Sequence, residues 1–265
     1  MPVDNSVYDR MADSWWDESG FLHTLAALNP ARFGYMQRVL LDELRLAPVG
    51  LRALDVGCGG GLLAEQFARL GCVVMGVDPS VESLAVARAH AANQELPIGY
   101  QCAMGEALPF VDESFDIVYC CDVLEHVTDW RRVVGETARV LRPGGTYFYD
   151  TINRTHRSRL IMITLLQEWR WTAFMPPRLH DWHMFIRPAE LRQELEHHGL
   201  VPGGLTGLKP RANPLRLLQT LRRRKRGLLS PAAAVREMDL GESSDTSVSY
   251  IGYARKPGPK ARVQH

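Results

Sequence analysis

Three side chains that could carry chemistry lie close together in the sequence. In CDVLEHV (121–127), Asp122, Glu125 and His126 stand at positions i, i+3 and i+4. If this stretch forms a helical turn, the three side chains share one face of it. Carboxylate oxygens and an imidazole suit a divalent ion such as magnesium or zinc, which would lower the pKa of a bound hydroxyl. Alternatively, His126 acts directly as a general base, since an ordinary histidine titrates at about pH 6.5, or the residues only pack.

A second candidate site is a loop with four glycines in five positions. The stretch LDVGCGGG (54–61) follows an apolar run and precedes the helix-like GLLAEQFARLG (61–71). Glycine lets a ligand approach the backbone, and the helix that follows directs free N–H groups at it. Asp78 comes about 20 residues later, where a carboxylate could hold both hydroxyls of a ribose. The glycine spacing differs from the Gly-X-Gly-X-X-Gly of nicotinamide enzymes, which makes such an enzyme a distant alternative.

The elements around these residues alternate between strands and helices. Apolar runs predict strands over 51–57, 72–78, 98–104, 115–122, 141–151 and 247–256. Helices are predicted over 7–48, with a break at Asn29–Pro30, and over 61–71, 83–94, 128–140 and 187–199. This alternation predicts an α/β fold: a Rossmann-like, mostly parallel sheet with helices on both faces, an N-terminal helical segment and an inserted lid.

The same pattern divides the chain into five parts. They are an N-terminal helical cap (1–48), a ligand-binding core (49–152), a lid that covers an acceptor (153–182), the C-terminal part of the core (183–256) and a disordered tail (257–265). The lid carries an aromatic-rich stretch that includes Trp169 and Trp171. It is too short and interrupted to span a bilayer, so it covers the acceptor pocket, contacts a membrane interface, or both.

Composition favours a cytoplasmic globular protein. The 265 residues carry a net charge of +1, which argues against nucleic acid as the main partner. The five cysteines have no CxxC or zinc-site spacing and are expected to be reduced thiols. No signal peptide is apparent, and no stretch reaches the ~20 apolar residues of a membrane span. The basic run Arg222–Arg226 is either a solvated face or a site of attraction to anionic lipid headgroups, as in a peripheral membrane contact.

Three ordered motifs resemble those of the class I S-adenosylmethionine-dependent methyltransferases. They are LDVGCGGG, SFDIVYCCDVLEHV (114–127) and VLRPGG (140–145). The resemblance implies that the methionine part of S-adenosylmethionine is held by Asp55, Gly57, Cys58, Gly59 and Gly61. It also implies Asp78 on the ribose and the backbone around Cys121 completing the site. Met104 stands where many relatives carry an aspartate, so it would offer the adenine only apolar contact.

Outside the core, the chain resembles the ubiquinone-biosynthesis O-methyltransferases, which act on catechol-like polyprenyl intermediates. The likeness is carried by SWWDESGF (14–21), LNPARFGYM (28–36), LEHV (124–127), TINRT (151–155) and HDWHMFIRPAEL (180–191). It implies that Arg32 reaches the cofactor and that Asp122, Glu125 and His126 hold a metal, although the family usually has glutamate at position 122. His180 and Asp181 form a second polar pair that could orient the lid or the acceptor.

The expected function is therefore methyl transfer from S-adenosylmethionine to a phenolic, catechol-like acceptor, with His126 and Glu125 as the candidate catalytic residues. A phenol titrates at about pH 10, so it needs a base or a metal to lose its proton at neutral pH. The alternatives are methylation of another small natural product at oxygen, carbon or nitrogen, or a non-catalytic cofactor-binding scaffold at a membrane.

Overall fold

The computed structural model describes residues 4–173 and 175–258, and its strands form one sheet. The strands are β1 Arg52–Val56, β2 Val73–Asp78, β3 Gly99–Cys102, β4 Phe115–Cys121, β5 Leu141–Ile152, β6 Val201–Pro210, β7 Leu240–Ser243 and β8 Ser249–Arg255. Their order in the sheet is β3-β2-β1-β4-β5-β8-β6-β7. Strands β1 to β5 pair in parallel, whereas β8 pairs antiparallel with β5 and β6, and β7 pairs antiparallel with β6. The predicted mostly parallel sheet is confirmed.

Helices cover both faces of this sheet. They are α1 Ser6–Arg10, α2 His23–Arg38, α3 Leu62–Arg69, α4 Val81–Asn93, α5 Trp130–Val140, α6 His156–Ser158, α7 Pro188–His197, α8 Pro214–Lys225 and α9 Pro231–Met238. One buried cluster packs α5 and α7 against the sheet, and a second packs α2 and α3 against the opposite face. The strands between these layers are apolar on both sides, which explains the continuous apolar runs in the sequence.

The order of the strands fixes where a ligand can bind. From β1 the chain moves outward through β2 to β3, then returns to place β4 on the other side of β1. In open α/β sheets, the crevice at such a switch point lies beyond the carboxyl ends of the strands. The glycine loop after β1 and the CDVLEHV stretch after β4 both lie at this crevice.

Three local predictions were wrong. The helix α2 runs through Pro30 without the predicted break, because packing of Tyr35 and Met36 in the core outweighs the missing N–H of one proline. The CDVLEHV stretch does not form a helical turn at Asp122, whose backbone lies in the left-handed region with φ 54°. A short turn follows, closed by the N–H of His126 and the carbonyl of Val123 at 2.8 Å. The predicted helix after it starts at Trp130 rather than residue 128.

The N-terminal segment over residues 4–22, here named the cover segment, lies across the glycine loop. It contains α1 and a short 3-10 helix over Ala12–Ser14. The indole N–H of Trp16 donates to the carbonyl of Gly60 at 2.9 Å, and that of Trp15 donates to the Ser83 hydroxyl at 3.0 Å. The amide of Asn5 donates to the carbonyl of His126 at 2.8 Å. The cover segment is therefore anchored to both loops of the crevice.

The predicted lid contains α6, which continues as a π-helix over Arg159–Glu168, and a 3-10 helix over Trp182–Met184. Within the described residues, no helix is both long enough and apolar enough to cross a membrane. Residues 259–265 of the predicted disordered tail lie outside the described residues.

Candidate active site

The glycine loop adopts a conformation that side chains would prevent. Gly57, Gly59 and Gly61 have φ values of 74°, 49° and 82°, a region that favours glycine. A Cβ atom on Gly57 would lie 2.3 Å from a methyl group of Val123, and one on Gly59 would lie 2.4 Å from the ring of Trp15. The loop thus brings β1, the β4 loop and the cover segment into contact around bare backbone. It then passes into α3, whose first N–H groups are available for a ligand.

Asp78, at the end of β2, ties the loop to the neighbouring strand. One carboxylate oxygen accepts from the N–H of Gly59 and the other from the N–H of Ser80, each at 2.9 Å. Burial raises the pKa of Asp78, and these backbone hydrogen bonds oppose the rise. Each oxygen still has a lone pair to offer a ligand hydroxyl. Burial also raises the pKa of Asp55 well above its usual range, with a contribution from the charge of Asp78.

A cavity of about 390 Å³ opens in front of the loop and is here named the glycine-loop cavity. Five of the predicted cofactor residues line it: Gly57, Gly59, Asp78, Met104 and Cys121. Three more, Asp55, Cys58 and Gly61, belong to β1 and the loop behind this lining. The cavity combines bare backbone, a helix N-terminus and a carboxylate at the ribose position, so these residues fit a nucleoside-type cofactor such as S-adenosylmethionine.

A second cavity of about 240 Å³, here named the apolar cavity, adjoins the first. It lies between α2, the lid and the C-terminal strands, and much of its wall is apolar: Phe21, Leu22, Leu28, Ile152, Ile161, Met162, Leu166, Met175, Leu179 and Val235. Four residues line both cavities, namely Tyr8, Leu25, Asp122 and His126. A molecule in the apolar cavity would therefore meet a cofactor in the glycine-loop cavity at this shared wall.

His126 lies at the shared wall between the two cavities. It is buried, and its Nδ1 has no hydrogen-bond partner among the residues that the structure describes. Its Nε2 lies 3.5 Å from the hydroxyl of Tyr8. Burial lowers the pKa of His126 to about 4, while the charge of Asp122 acts in the opposite direction. The imidazole is therefore neutral at pH 7 and has a ring nitrogen that can accept a hydrogen bond.

Arg32 joins two carboxylates at the edge of the apolar cavity. Its guanidinium donates to Asp122 and to Asp150, the latter located near the end of β5. Asp150 also accepts the backbone N–H of Asp122 at 2.8 Å. Burial raises the pKa of Asp150 to about 6, opposed mainly by the charge of Arg32. This network holds Asp122 in its strained backbone conformation. Because Arg32 lines the apolar cavity, its predicted contact with the cofactor stays a prediction.

Glu125 lies behind the shared wall rather than on it. It is 1% exposed, and one carboxylate oxygen accepts from the Thr151 hydroxyl at 2.8 Å. Burial raises the pKa of Glu125 to about 8, with a contribution from the charge of Asp122. The predicted catalytic role of Glu125 stays a prediction, and the geometry gives it no contact with either cavity among their lining residues.

The predicted metal ligands do not converge. Among the residues that can be described, the three whose ligand atoms come within 4.8 Å of one another are Glu194, His197 and His198, on the outer helix α7 and just after it. The atoms of Asp122, Glu125 and His126 do not meet that distance. Asp122 is paired with Arg32 and Glu125 with Thr151. These residues, as the structure places them, do not fit a three-ligand metal site.

Two residues of the site carry weaker sequence signals. Tyr8 is one aromatic residue among several in the N-terminal segment, and its place beside His126 depends on how that segment folds back. Asp150 ends the run TYFYD in β5. A single acidic residue at the end of this apolar run is the sequence signal that could have marked it as part of the site. Neither residue has a partner nearby in the sequence, since Tyr8 and His126 are separated by 118 positions.

The comparisons with known proteins agree with this geometry. The methyltransferase-domain family matches residues 54–149, which contain both loops of the crevice. A solved SAM-dependent methyltransferase from Aquifex aeolicus has the same fold, with a TM-score of 0.51 at 14% identity, covering 82% of this chain and 92% of that chain. This likeness shows a shared fold, and the family match places a methyltransferase domain over the glycine loop and the β4–α5 loop.

Relatives of higher sequence identity identify the family within this class of enzymes. The ubiquinone biosynthesis O-methyltransferase of Methylobacterium sp. (strain 4-46) is 38% identical over 207 residues, 76% of this chain and 82% of that protein. The protein of the same name from Sinorhizobium fredii (strain NBRC 101917 / NGR234) is 38% identical over 223 residues, 80% of this chain and 89% of that protein. The chain belongs to the ubiquinone biosynthesis O-methyltransferase family.

Proposed function

We propose that the enzyme methylates a phenolic hydroxyl of a catechol-like ring that carries a lipid substituent, such as a polyprenylated quinone precursor. The observation that carries this proposal is the apolar cavity, which shares a wall with the glycine-loop cavity at His126 and Asp122. An apolar substituent gains about 25 cal/mol for each Å² buried there. The ring hydroxyl would then lie at the polar shared wall. The names of the relatives support the same acceptor class.

The residues of the shared wall would align the acceptor and receive its proton. S-adenosylmethionine, when bound, supplies a methyl group on a positively charged sulfur. The acceptor oxygen forms a bond to that methyl group while the carbon–sulfur bond breaks, and the bonding electrons remain on sulfur. The hydroxyl proton passes to the His126 imidazole. Asp122 helps His126 in this role because its negative charge favours the protonated ring.

Water exclusion is the second contribution of the chain. Tyr8 belongs to the cover segment, and Leu25 lies at the start of α2. Both residues lie on the shared wall. Burial raises the pKa of Tyr8, so its hydroxyl stays neutral. Closing the cavities from water leaves the acceptor oxygen as the nucleophile nearest the methyl group and positions it for in-line attack.

A metal-assisted mechanism predicts a different chemistry at the same loop. A divalent ion such as magnesium or zinc would lower the pKa of the acceptor hydroxyl itself. The three candidate ligands do not converge, so we assign the proton to His126 and route no step through an ion.

The proposal is tested by turnover of a catechol panel with and without alkyl chains, measured for wild type, His126→Gln and His197→Gln. We expect wild type to favour chain-bearing catechols and to yield O-methyl products. His126→Gln should lower kcat by roughly 100-fold or more, with little change in the Kd of S-adenosylmethionine. His197→Gln, at an exposed histidine on α7, should behave as wild type.

Three outcomes would contradict the proposal. Turnover confined to acceptors without a phenolic oxygen would replace the acceptor class with another small natural product. Activity that is lost on exhaustive chelation and restored by magnesium or zinc would transfer the role of His126 to a metal ion. A protein that binds the cofactor and turns over no acceptor of the panel would favour a non-catalytic scaffold.

We also propose that the exposed surface of the lid around Trp169 and Trp171 contacts a membrane. Trp169 and Trp171 are 50% and 58% exposed. The ring of Trp171 lies 5.0 Å from the guanidinium of Arg170 and 4.7 Å from the ammonium of Lys225, at the basic end of α8. Exposed indoles flanked by cations are typical of surfaces that bind the headgroup region of a bilayer. Ile161 of the same lid lines the apolar cavity, which links this surface to the proposed entry path of a lipid-bearing acceptor.

A further inference from the structure

His180 places a second imidazole on the wall of the apolar cavity. It lies near the end of the lid, and its ring centroid lies 5.0 Å from that of His126. Its Nδ1 is buried and has no hydrogen-bond partner within the part of the chain described. A buried polar atom without a partner is costly unless a ligand or water satisfies it. The wall of the cavity therefore contains two neighbouring imidazoles, on His126 and on His180, each with a buried ring nitrogen that no described group satisfies.

The lid fixes His180 through its backbone. The side chain of Gln167, at the end of the π-helix, accepts from the N–H of His180 at 2.7 Å and donates to its carbonyl at 3.1 Å. Gln167 is itself buried, so the pair forms a two-point clamp inside the lid. The imidazole is thus held in place by the same element that covers the cavity.

Other polar groups on this wall are already engaged. The Thr24 hydroxyl donates to the carbonyl of Phe21 at 2.6 Å, and the Ser249 hydroxyl donates to the carbonyl of Leu208 at 3.1 Å. The Arg32 guanidinium is paired with two carboxylates. Among the described residues that line this cavity, His126 and His180 each have a buried ring nitrogen without a hydrogen-bond partner.

We propose that His180 binds the second oxygen of the acceptor, the hydroxyl next to the one that is methylated. This inference rests on the proposed function and adds a subsite to it. The adjacent hydroxyls of a catechol point the same way from neighbouring ring carbons, which suits two neighbouring imidazoles. With one hydroxyl on His126 and the other on His180, the ring can enter in one orientation, with its chain in the apolar part of the cavity. His180 then determines which of the two hydroxyls is methylated.

The test uses a catechol that carries an alkyl chain at ring position 4, whose two hydroxyls give distinguishable methyl ethers. A phenol with the same chain and one hydroxyl serves as the matched acceptor. Wild type, His180→Phe, His180→Asn and the exposed neighbour His183→Gln are compared as full-length proteins. The readouts are the ratio of the two methyl ethers, kcat/KM for both acceptors, the Kd of S-adenosylmethionine and the Tm.

We expect wild type and His183→Gln to yield one methyl ether from the catechol. His180→Phe should yield both ethers and lower kcat/KM for the catechol by roughly 10-fold, the loss of about one hydrogen bond, with little change for the phenol. His180→Asn, whose side chain can still bond the hydroxyl, should restore most of the single product. Loosening the clamp with Gln167→Ala should give an intermediate product ratio.

The subsite is overturned if His180→Phe keeps one product and loses activity equally on both acceptors. Should His180→Phe unfold, the product ratio of Gln167→Ala decides, and an unchanged single product in that variant would overturn the subsite. A wild-type enzyme that methylates no catechol would instead contradict the proposed function, and the subsite with it.

Discussion

At the scale of single residues, burial moves the two neighbouring groups of the β4–α5 loop in opposite directions. The pKa of Glu125 rises to about 8 and that of His126 falls to about 4, because each loses its charged form in a site with little water. At neutral pH both are therefore largely uncharged. The negative charge at the shared wall then belongs to Asp122, which is paired with Arg32.

The first prediction concerns the pH dependence of folding at His126. Its pKa is about 4 in the folded chain, below the ordinary value of 6.5, so the unfolded chain binds the extra proton between these pH values. Stability is therefore lost as the pH falls through this range. Between pH 7 and pH 5, wild type should lose about 2 kcal/mol more free energy of unfolding than His126→Gln. Urea unfolding at both pH values measures this, and equal losses would show that His126 is accessible to water.

The second prediction concerns Glu125, where the sign is reversed. Its folded pKa of about 8 exceeds the ordinary value of 4.5, so stability is lost as the pH rises through this range. Glu125→Gln should remove that loss and be more stable than wild type at pH 9, on the order of 5 kcal/mol. Its kcat at pH 7 should stay near the wild-type value, because the carboxyl is already mostly protonated. A large fall in kcat with an unchanged Kd of S-adenosylmethionine would instead make Glu125 a catalytic residue.

At the scale of elements, the cover segment and the glycine loop form one unit. A Cβ atom on Gly60 would lie 2.3 Å from the Trp15 ring, whereas one on Gly34, on the exposed side of α2, meets nothing within 4 Å. This contrast provides a matched pair of glycine substitutions.

We therefore predict opposite effects for the two changes. Gly60→Ala should displace Trp15, lower the free energy of unfolding by roughly 1–3 kcal/mol and raise the Kd of S-adenosylmethionine. Gly34→Ala should increase stability by about 0.5–1 kcal/mol and leave the Kd unchanged. Urea unfolding and calorimetric titration of both variants provide the measurements. An unchanged Kd in Gly60→Ala would show that the cover segment does not support the cofactor site.

The sequence predicted the elements that carry their own local signals. The strands β1 to β5 are apolar runs bounded by turns, and the helices between them begin and end at recognisable residues such as Gly71 and Gly199. The strands β6 and β7 and the helices α8 and α9 were not predicted. The β6 sequence VPGGLTGLKP has the glycines and prolines of a turn. It forms a strand because β8 and β7 pair with it on either side and the Tyr253 ring packs against Gly203.

The residues of the candidate site likewise divide into those that the sequence predicted and those that it did not. The glycine loop and Asp78 were found from spacing, because backbone conformation determines those residue types. The apolar cavity and the pairing of Arg32 with Asp150 could not be found that way. They depend on α2, the lid and β5 meeting in space, and no short-range pattern records such contacts.

At the scale of the whole molecule, the lid connects the apolar cavity with α8: Ile161 lines the cavity, and the Lys225 ammonium donates to the carbonyl of Arg170 at 2.6 Å. An acceptor with a long apolar chain has to leave a membrane before it reaches His126. The exposed indoles beside the lid and the cations of α8 would hold the enzyme at that membrane during transfer.

The corresponding prediction uses vesicles. Trp169→Ser with Trp171→Ser should reduce co-sedimentation with vesicles that contain anionic phospholipid and raise the KM for a chain-bearing catechol more than for a bare catechol. Val111→Ser removes an exposed apolar residue in the loop before β4, outside the lid and α8, and should change neither. Equal binding of wild type and the double variant to these vesicles would contradict a membrane contact at this surface.

The hydrogen bond from Asn5 to the carbonyl of His126 ties the cover segment to the loop that carries the proposed base. Residues of the same segment line the glycine-loop cavity, so one element contacts both the proposed cofactor site and His126. A change that displaces the cover segment would therefore remove support from the β4–α5 loop and the Tyr8 neighbour from His126 together. Cofactor affinity and the position of the proposed base would then change as one property, which couples the two halves of the reaction through a single stretch of chain.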